Sequence, residues 1–460
     1  MQKYAALFLV LASLPFAAIS CGGSTTQQSN PQQTDGGEEG GVVPEGGSHE
    51  GGGADAGHDS GMTQTCKPMN GTLAPGYPAM HGPLPQITYQ NGGVLQNPEI
   101  VTVTFPGDPL AKQLEEFDDD VLQTCWWDTG RAGYCEANGM NCVGRGVVPA
   151  KPHVEMTTPA AASYTDSANG GTSTLQTYIQ QQVASGAFPA PDENTIYALY
   201  FPSSTSITLD GISSCNNGGF GGYHNSTAVT PPGGSNTWVT YAVIMRCTTT
   251  LAEATFAASH EFAEASTDPH VGQNKLGYYA TQTNLDYLPW ELLLGGGEIG
   301  DFCVDILGLN EDQTTATYGS NSWTVTRLWS NANAAAGLDP CMPMSSTETY
   351  FTLAPEAGHG TLQMAVGQTQ TFTATAYSSG PLTWEIEATD LAQAEGQQAI
   401  VQVGLSASSV KNGDSVTVTV TLKSQPPSLG GGFSGEPYLL ISAAGQNGPA
   451  HFWPMLVVAQ

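Results

Sequence analysis

Eight of this chain's nine cysteines lie between Cys66 and Cys341, and none follows. An even set behind an export signal reads as up to four disulfides, and no CxxC pair is present to suggest a cysteine-held zinc knuckle. The stapled stretch therefore belongs to one folded unit and the cysteine-free remainder to another. At 460 residues the chain has room for both behind a leader.

Lys3 followed by an apolar run from Ala5 to Ile19 has the layout of an export signal, and the run is too short for a stable membrane span. Ala18-Ile19-Ser20 ahead of Cys21 looks like a bacterial lipobox, which makes Cys21 the lipidated N terminus; an ordinary cut near Ala18 is the alternative. Residues 22–65 contain no aromatic residue, Lys or Arg, a composition too polar to offset the entropy of ordering. The expected layout is a lipoprotein signal peptide over 1–20 and an acidic Gly/Ser/Gln tether over 21–65, with His49 and His58 as solvated spacers. The chain is then exported and lipid-anchored to a bacterial membrane, facing the periplasm or the cell exterior.

With 41 acids against 11 bases the formal net charge is -30. That balance excludes nucleic acid and electrostatic docking on anionic lipid. Membrane contact is then through the N-terminal lipid alone, and the partners left are a peptide or a cell-surface polymer.

Glu99 to Phe105 alternates like a strand. Asp108-Pro109 looks like a helix start with Asp108 as N-cap, followed by Leu110, Leu114, Phe117 and Val121 on one face. Glu115, Glu116, Asp118 and Asp119 fall off that stripe and are expected on its solvated side. Thr172 to Ser185 reads as a second helix stopped by Gly186. Asn194 to Phe201 and Thr237 to Arg246 are apolar enough for strands buried on both faces. Strands alternating with helices favour a mixed α/β unit. Beyond Cys341 the texture changes to short alternating runs such as Ser415 to Leu422, with Asn412-Gly413 ahead of it as a hairpin signal. An immunoglobulin-like sandwich is expected there, with His359 and His451 as structural or surface residues.

The chemistry concentrates in Leu251 to Pro269, LAEATFAASHEFAEASTDP, an Ala-rich helix closed by Pro269. His260 and Glu264 are four apart and share a face, with Glu261 adjacent. In the zinc-peptidase motif HExxH, two histidines at that spacing hold the ion and the Glu between them activates the attacking water. Here the second histidine is a glutamate, itself a legitimate zinc ligand and one that also suits harder ions. The plain alternative is a helix whose two glutamates are surface acids. A third ligand is sought in Gly297 to Cys303 (GEIGDFC), where Glu298 and Asp301 stand three apart, or in His224 after a Gly-rich loop.

CNNGGFGGYH (Cys215–His224), SHEFAEASTDP (Ser259–Pro269), GEIGDFC (Gly297–Cys303) and the Arg327-Leu328-Trp329-Ser330 segment running to Cys341 occur in this order. Together they resemble the phosphate-induced protein 1 (EXORDIUM-like) family, known from plant extracellular proteins and also found in bacteria. The resemblance covers residues 95–345. It singles out His224, His260, Glu261, Glu264, Glu298, Asp301, Cys303 and Cys341, places Cys215 and Cys247 in the family's cysteine set, and implies a Cys303–Cys341 bridge. The chain departs from the plant pattern in its tether, its C-terminal unit, Asp268 where Asn is usual, and a longer stretch from Val271 to Gly296 carrying Trp290.

The combined expectation is a mixed α/β (α+β), zincin-like, disulfide-stapled domain over 66–345 and an all-β immunoglobulin-like sandwich over 346–460. One divalent ion, zinc first, is expected on His260, Glu264 and Asp301, Glu298 or His224. Glu261 is then the general base of a metallohydrolase acting on peptides. The other reading is a non-catalytic extracellular binding protein with a structural ion or none.

Overall fold

The computed structural model describes residues 66, 76–77, 84–137, 139–168, 173–215, 220–273, 275–280, 286–293, 297–303, 313–344, 349–394, 397–426, 428–430, 433–443 and 451–459. The expected export signal, Cys21 and the expected tether over 21–65 lie outside the described residues. Most of the regular structure is β, with few helices.

The first unit is built on a five-stranded sheet. Its strands are β1 (Glu99–Thr104), β2 (His153–Glu155), β3 (Thr195–Phe201), β4 (Gly222–Val229) and β5 (Thr237–Met245), in the spatial order β2-β1-β3-β5-β4. All neighbours are parallel except β4, which pairs antiparallel with β5 at the edge. Every residue of β3 is buried, as a near-continuous apolar run in mid-sheet requires. Alternation divides the strand between two cores. Ile196, Ala198 and Tyr200 face helices α1 (Ala111–Val121) and α3 (Leu251–Thr267); Tyr197, Leu199 and Phe201 face α2 (Thr174–Ser185). The result is a sheet covered by helices on both sides. Ser173 caps α2 at its start and left-handed Gly186 ends it.

Four disulfides staple this unit: Cys66–Cys125, Cys135–Cys142, Cys215–Cys247 and Cys303–Cys341. The last is the one that the family resemblance implies.

The second unit is a β-sandwich. One sheet runs Phe351–Pro355, Thr369–Ser378, Ser415–Leu422, Val401–Leu405; the other runs Thr361–Met364, His451–Ala459, Phe433–Ala443, Thr383–Asp390, Ser409–Lys411. Val416, Val418, Val420 and Leu422 point into the core, and Phe351 stacks on Trp384 across the two sheets at 4.9 Å. The two units share one continuous core. At the junction Trp290 touches Phe302, Trp329 and Trp453, and the Asp286 carboxylate accepts from the backbone N–H of Gly358 at 2.9 Å.

Three local expectations fail. Asp108 is not the N-cap of α1: Leu110 occupies that position, while the Asp108 carboxylate accepts from the Leu110 N–H at 2.9 Å and pairs with Arg246 at 2.6 Å. Asn412-Gly413 does not make a hairpin, because the strands on either side of it belong to different sheets. The Asn412 side chain accepts from the backbone N–H of Ser378 and fixes that crossing. Asp118 is not on a solvated face. It is buried against the sheet, accepting from Thr102 Oγ1 and Tyr200 Oη, each at 2.7 Å.

Burial pushes the Asp118 carboxyl up to about 8, against the two hydroxyl donors that lower it. The unfolded chain therefore gives up this proton at lower pH than the native state does. Asp118's contribution to stability is complete below the ordinary carboxylate range and is lost as pH rises toward 8. Across that window the loss is on the order of 5 kcal/mol. Asp118→Asn is expected to flatten the fall in melting temperature between pH 5 and pH 9. An unchanged slope would show that Asp118 is ionised in the native state.

Candidate metal centre

Three elements converge on one point. Helix α3 starts at an N-cap, Thr250, whose hydroxyl accepts from the Glu253 N–H. It is anchored along its length by Thr255 Oγ1 donating to the Thr324 carbonyl and by Ser259 Oγ accepting from the Thr326 N–H. From Ala258 onward nearly every residue is buried, so Glu261 and Glu264 are not surface acids. The second element is β4. Its antiparallel register sets His224 opposite Ala242, and Ala242 faces α3. The third is the Gly297–Cys303 loop. It is held by hydrogen bonds from Ala280 N–H to the Gly297 carbonyl and from Trp329 N–H to the Ile299 carbonyl, and by the Cys303–Cys341 bridge.

The structure brings all six sequence-derived candidates together. His260 Nε2 lies 3.0 Å from Glu264 Oε1 and 3.7 Å from Asp301 Oδ1. His224 Nδ1 lies 3.7 Å from both Glu261 Oε2 and Glu264 Oε2, and its Nε2 is 3.5 Å from Glu298 Oε1. The Glu298 N–H donates to Asp301 Oδ2 at 3.1 Å, which fixes the two acids relative to each other. Asp268, which comparison with the plant pattern sets aside, also reaches this cluster. Its carbonyl lies 3.2 Å from His224 Nε2, and its carboxylate accepts from the Gly277 N–H. Only its position just past the helix end could have signalled that.

Glu261 Oε2, Glu264 Oε1 and Glu298 Oε1 are buried with no hydrogen-bond donor; the 3.0 Å approach of His260 to Glu264 Oε1 lacks hydrogen-bond alignment. Among the described residues every Lys or Arg ion pair lies elsewhere. Five carboxyl groups, Asp268 included, thus surround two imidazoles. Burial disfavours the charged forms of His224 and His260, yet the surrounding carboxylates, Glu298 and Glu264 foremost, hold both well above the ordinary histidine value. Burial also raises Glu261, Glu298 and Asp301. For Glu264 burial is outweighed by His260 and His224, which hold it near 2. The raised imidazoles answer an excess of negative charge. A divalent cation answers it too, displacing the imidazole protons.

The spacing fits such an ion. Ligand atoms at 2.0–2.2 Å from a tetrahedral centre stand about 3.3–3.6 Å apart, and the contacts above bracket that range. Two sets, His224-Glu261-Glu264 and His260-Glu264-Asp301, have all their ligand atoms within 4.8 Å of one another. Glycine makes room for them. A Cβ on Gly300 would stand 2.6 Å from His260 Cε1 and 2.7 Å from Glu264 Oε1, and one on Gly222 would stand 2.7 Å from Glu261 Oε1. A separate cavity at the junction of the two units is lined by Trp290, Arg327, Asp339, Tyr350 and His451, and by none of the six candidates.

No protein-family model matches the chain, and no curated protein does. Parts of solved structures do. Domains 4 and 5 of the S-layer protein SbsC match at 15% identity over 32% of this chain and 56% of that one, with a TM-score of 0.18. Titin domain M7 matches at 7% identity over 24% of this chain and 94% of that one, with a TM-score of 0.16. The BIgI domain of the beta protein from S. agalactiae, solved bound to CEACAM1, matches at 12% identity over 25% and 97%, with a TM-score of 0.16. The chain spans little more than half of the first of these. At such scores the likenesses do not bear on the site.

Gly300→Ala is expected to destabilise the protein by about 1–3 kcal/mol in urea denaturation, because the new methyl must displace His260 or Glu264. Gly221→Ala, where a Cβ meets nothing within 4 Å, should stay within about 0.5 kcal/mol of the parent. Equal stabilities for the two variants would contradict the tight seating of the Gly297–Cys303 loop.

Proposed function

We propose that this chain is an exported, lipid-anchored metalloprotein of the EXORDIUM-like family, with a hydrolytic centre on His260, Glu264 and Asp301. One observation carries the reading: a buried, carboxylate-rich cluster with orphaned oxygens at ligand spacing and, among the described residues, no Lys or Arg paired to it. A zincin-like arrangement is supported by a helix bearing HExxE laid beneath an antiparallel edge strand, and an immunoglobulin-like one by the two facing sheets of the second unit. The disulfides suit an oxidising, extracytoplasmic setting.

A divalent ion held by His260, Glu264 and Asp301, zinc first, would supply Lewis-acid polarisation of a peptide carbonyl. The remaining steps belong to the chain. Glu261 takes a proton from the attacking water and returns it to the leaving amine. Glu298, through its backbone N–H, orients Asp301. Access is from the His260 and Asp301 side, where each side chain is 16% exposed against 4% for His224.

The sealed position of His224 and Glu264 favours one other reading, a structural ion in a non-catalytic protein that binds a polysaccharide or protein partner. The two readings separate on turnover. The full chain, purified without chelator, should carry metal by elemental analysis, and His260→Ala/Glu264→Ala should lose it from these ligands. In a peptide-cleavage screen Glu261→Gln should keep the ion on His260, Glu264 and Asp301 and lose at least about 100-fold in rate. Metal that stabilises the fold with no cleavage of any substrate would leave the binding protein. No bound metal, and no affinity for added Zn²⁺, Mn²⁺ or Ca²⁺, would end both.

A further inference from the structure

The structure points to a second ion in the same cluster: we propose a dinuclear centre in which Glu264 bridges an ion on His260 and Asp301 to another on His224 and Glu261. This rests on the metal reading above and reassigns Glu261 from a free base to a ligand.

Glu264 is the only residue common to the two ligand sets. Its two oxygens point to different neighbours, Oε1 to His260 and Oε2 to His224. A single ion on His260, Glu264 Oε1 and Asp301 leaves the other set without a cation. There His224 Nδ1, Glu261 Oε2 and Glu264 Oε2 converge with side chains only 4%, 7% and 5% exposed. Glu261 Oε2 has no donor at all.

The surroundings of His224 prepare it as a ligand. Its Nε2 faces the Asp268 carbonyl at 3.2 Å and Glu298 Oε1 at 3.5 Å, both acceptors, which places the ring proton on that nitrogen. Nδ1 then faces Glu261 and Glu264, and meets them either through a second N–H of the imidazolium or, once that proton is displaced, as a ligand to a cation seated among them. Charge points the same way. Glu261, Glu264, Glu298, Asp301 and Asp268 bring five carboxyl groups to two imidazoles, more negative charge than one divalent ion can balance.

The dinuclear arrangement also accounts for HExxE. A histidine at position 264 would present one nitrogen to one ion, whereas a carboxylate presents an oxygen to each. Two ions on one carboxylate stand about 4 Å apart, the separation at which paired metals clamp the two oxygens of a hydrolytic displacement.

Manganese titration of the metal-depleted full chain tests this, read by elemental analysis and electron paramagnetic resonance. The parent should take up two equivalents, with the six-line signal of isolated Mn²⁺ replaced by an exchange-coupled spectrum. His224→Asn should halve the uptake and restore the isolated-ion signal. Glu261→Gln should do the same, which guards against a folding defect at the edge strand. Asp301→Asn should give the mirror result from the other side. One equivalent in the parent, unaltered by His224→Asn and Glu261→Gln, would overturn the second ion and leave the mononuclear reading standing. Two equivalents without coupling would overturn the Glu264 bridge, and no uptake would remove the dinuclear centre together with the reading it rests on.

Discussion

Negative charge taken out of water is expensive, and most proteins of this acidity leave it on the surface. Here Glu261, Glu264, Glu298 and Asp301 are instead held behind a helix, an edge strand and a loop, beside two imidazoles and, among the described residues, no Lys or Arg. An isolated buried carboxylate costs several kcal/mol even after relaxation. Nothing in the surrounding apolar core offsets that cost by itself. The scaffold has therefore to keep these groups together against their mutual repulsion. A cation, with its ligands already gathered, would turn the same repulsion into binding energy.

The means of confinement are ordinary. Apolar alternation buries β3 on both faces and seats α3 against β4 and β5. The Cys215–Cys247 bridge ties the approach to β4 to the end of β5, and Cys303–Cys341 pins the loop that carries Glu298 and Asp301. Gly222 and Gly300 are the points of closest approach, where any larger side chain would strike the cluster. Rigid elements supply the ligands and covalent ties limit how far they can part, as preorganised sites require.

How far the sequence could be read depends on the range of the interaction. The pairing of His260 with Glu264 follows from helical periodicity within five residues, and the burial of β3 from its unbroken apolar run. The Gly297–Cys303 motif named Glu298 and Asp301 as candidates but could not say that both reach the same cluster. His224 owes its place to the β4–β5 register, a pairing across intervening residues that no local pattern encodes. Asp118 fails for a similar reason. Its neighbours in the acidic run are amphipathically placed, and only Thr102 and Tyr200, distant in sequence, make an inward carboxyl tolerable. The turn at Asn412-Gly413 has the right chemistry for a hairpin, but the two-sheet architecture uses it to change sheets.

Trp290 contacts Phe302 and Trp329 of the first unit and Trp453 of the sandwich. Phe302 is the residue after Asp301, and Trp453 belongs to a long strand of the sandwich. The C-terminal unit is thus joined to the ligand loop by a train of three rings, with Asp286 gripping the backbone of the sandwich beside it. Such a unit is a handle more than a pendant. A load borne by the sandwich, whether from a tethered partner or from tension on the chain, has a short mechanical route to the carboxylates.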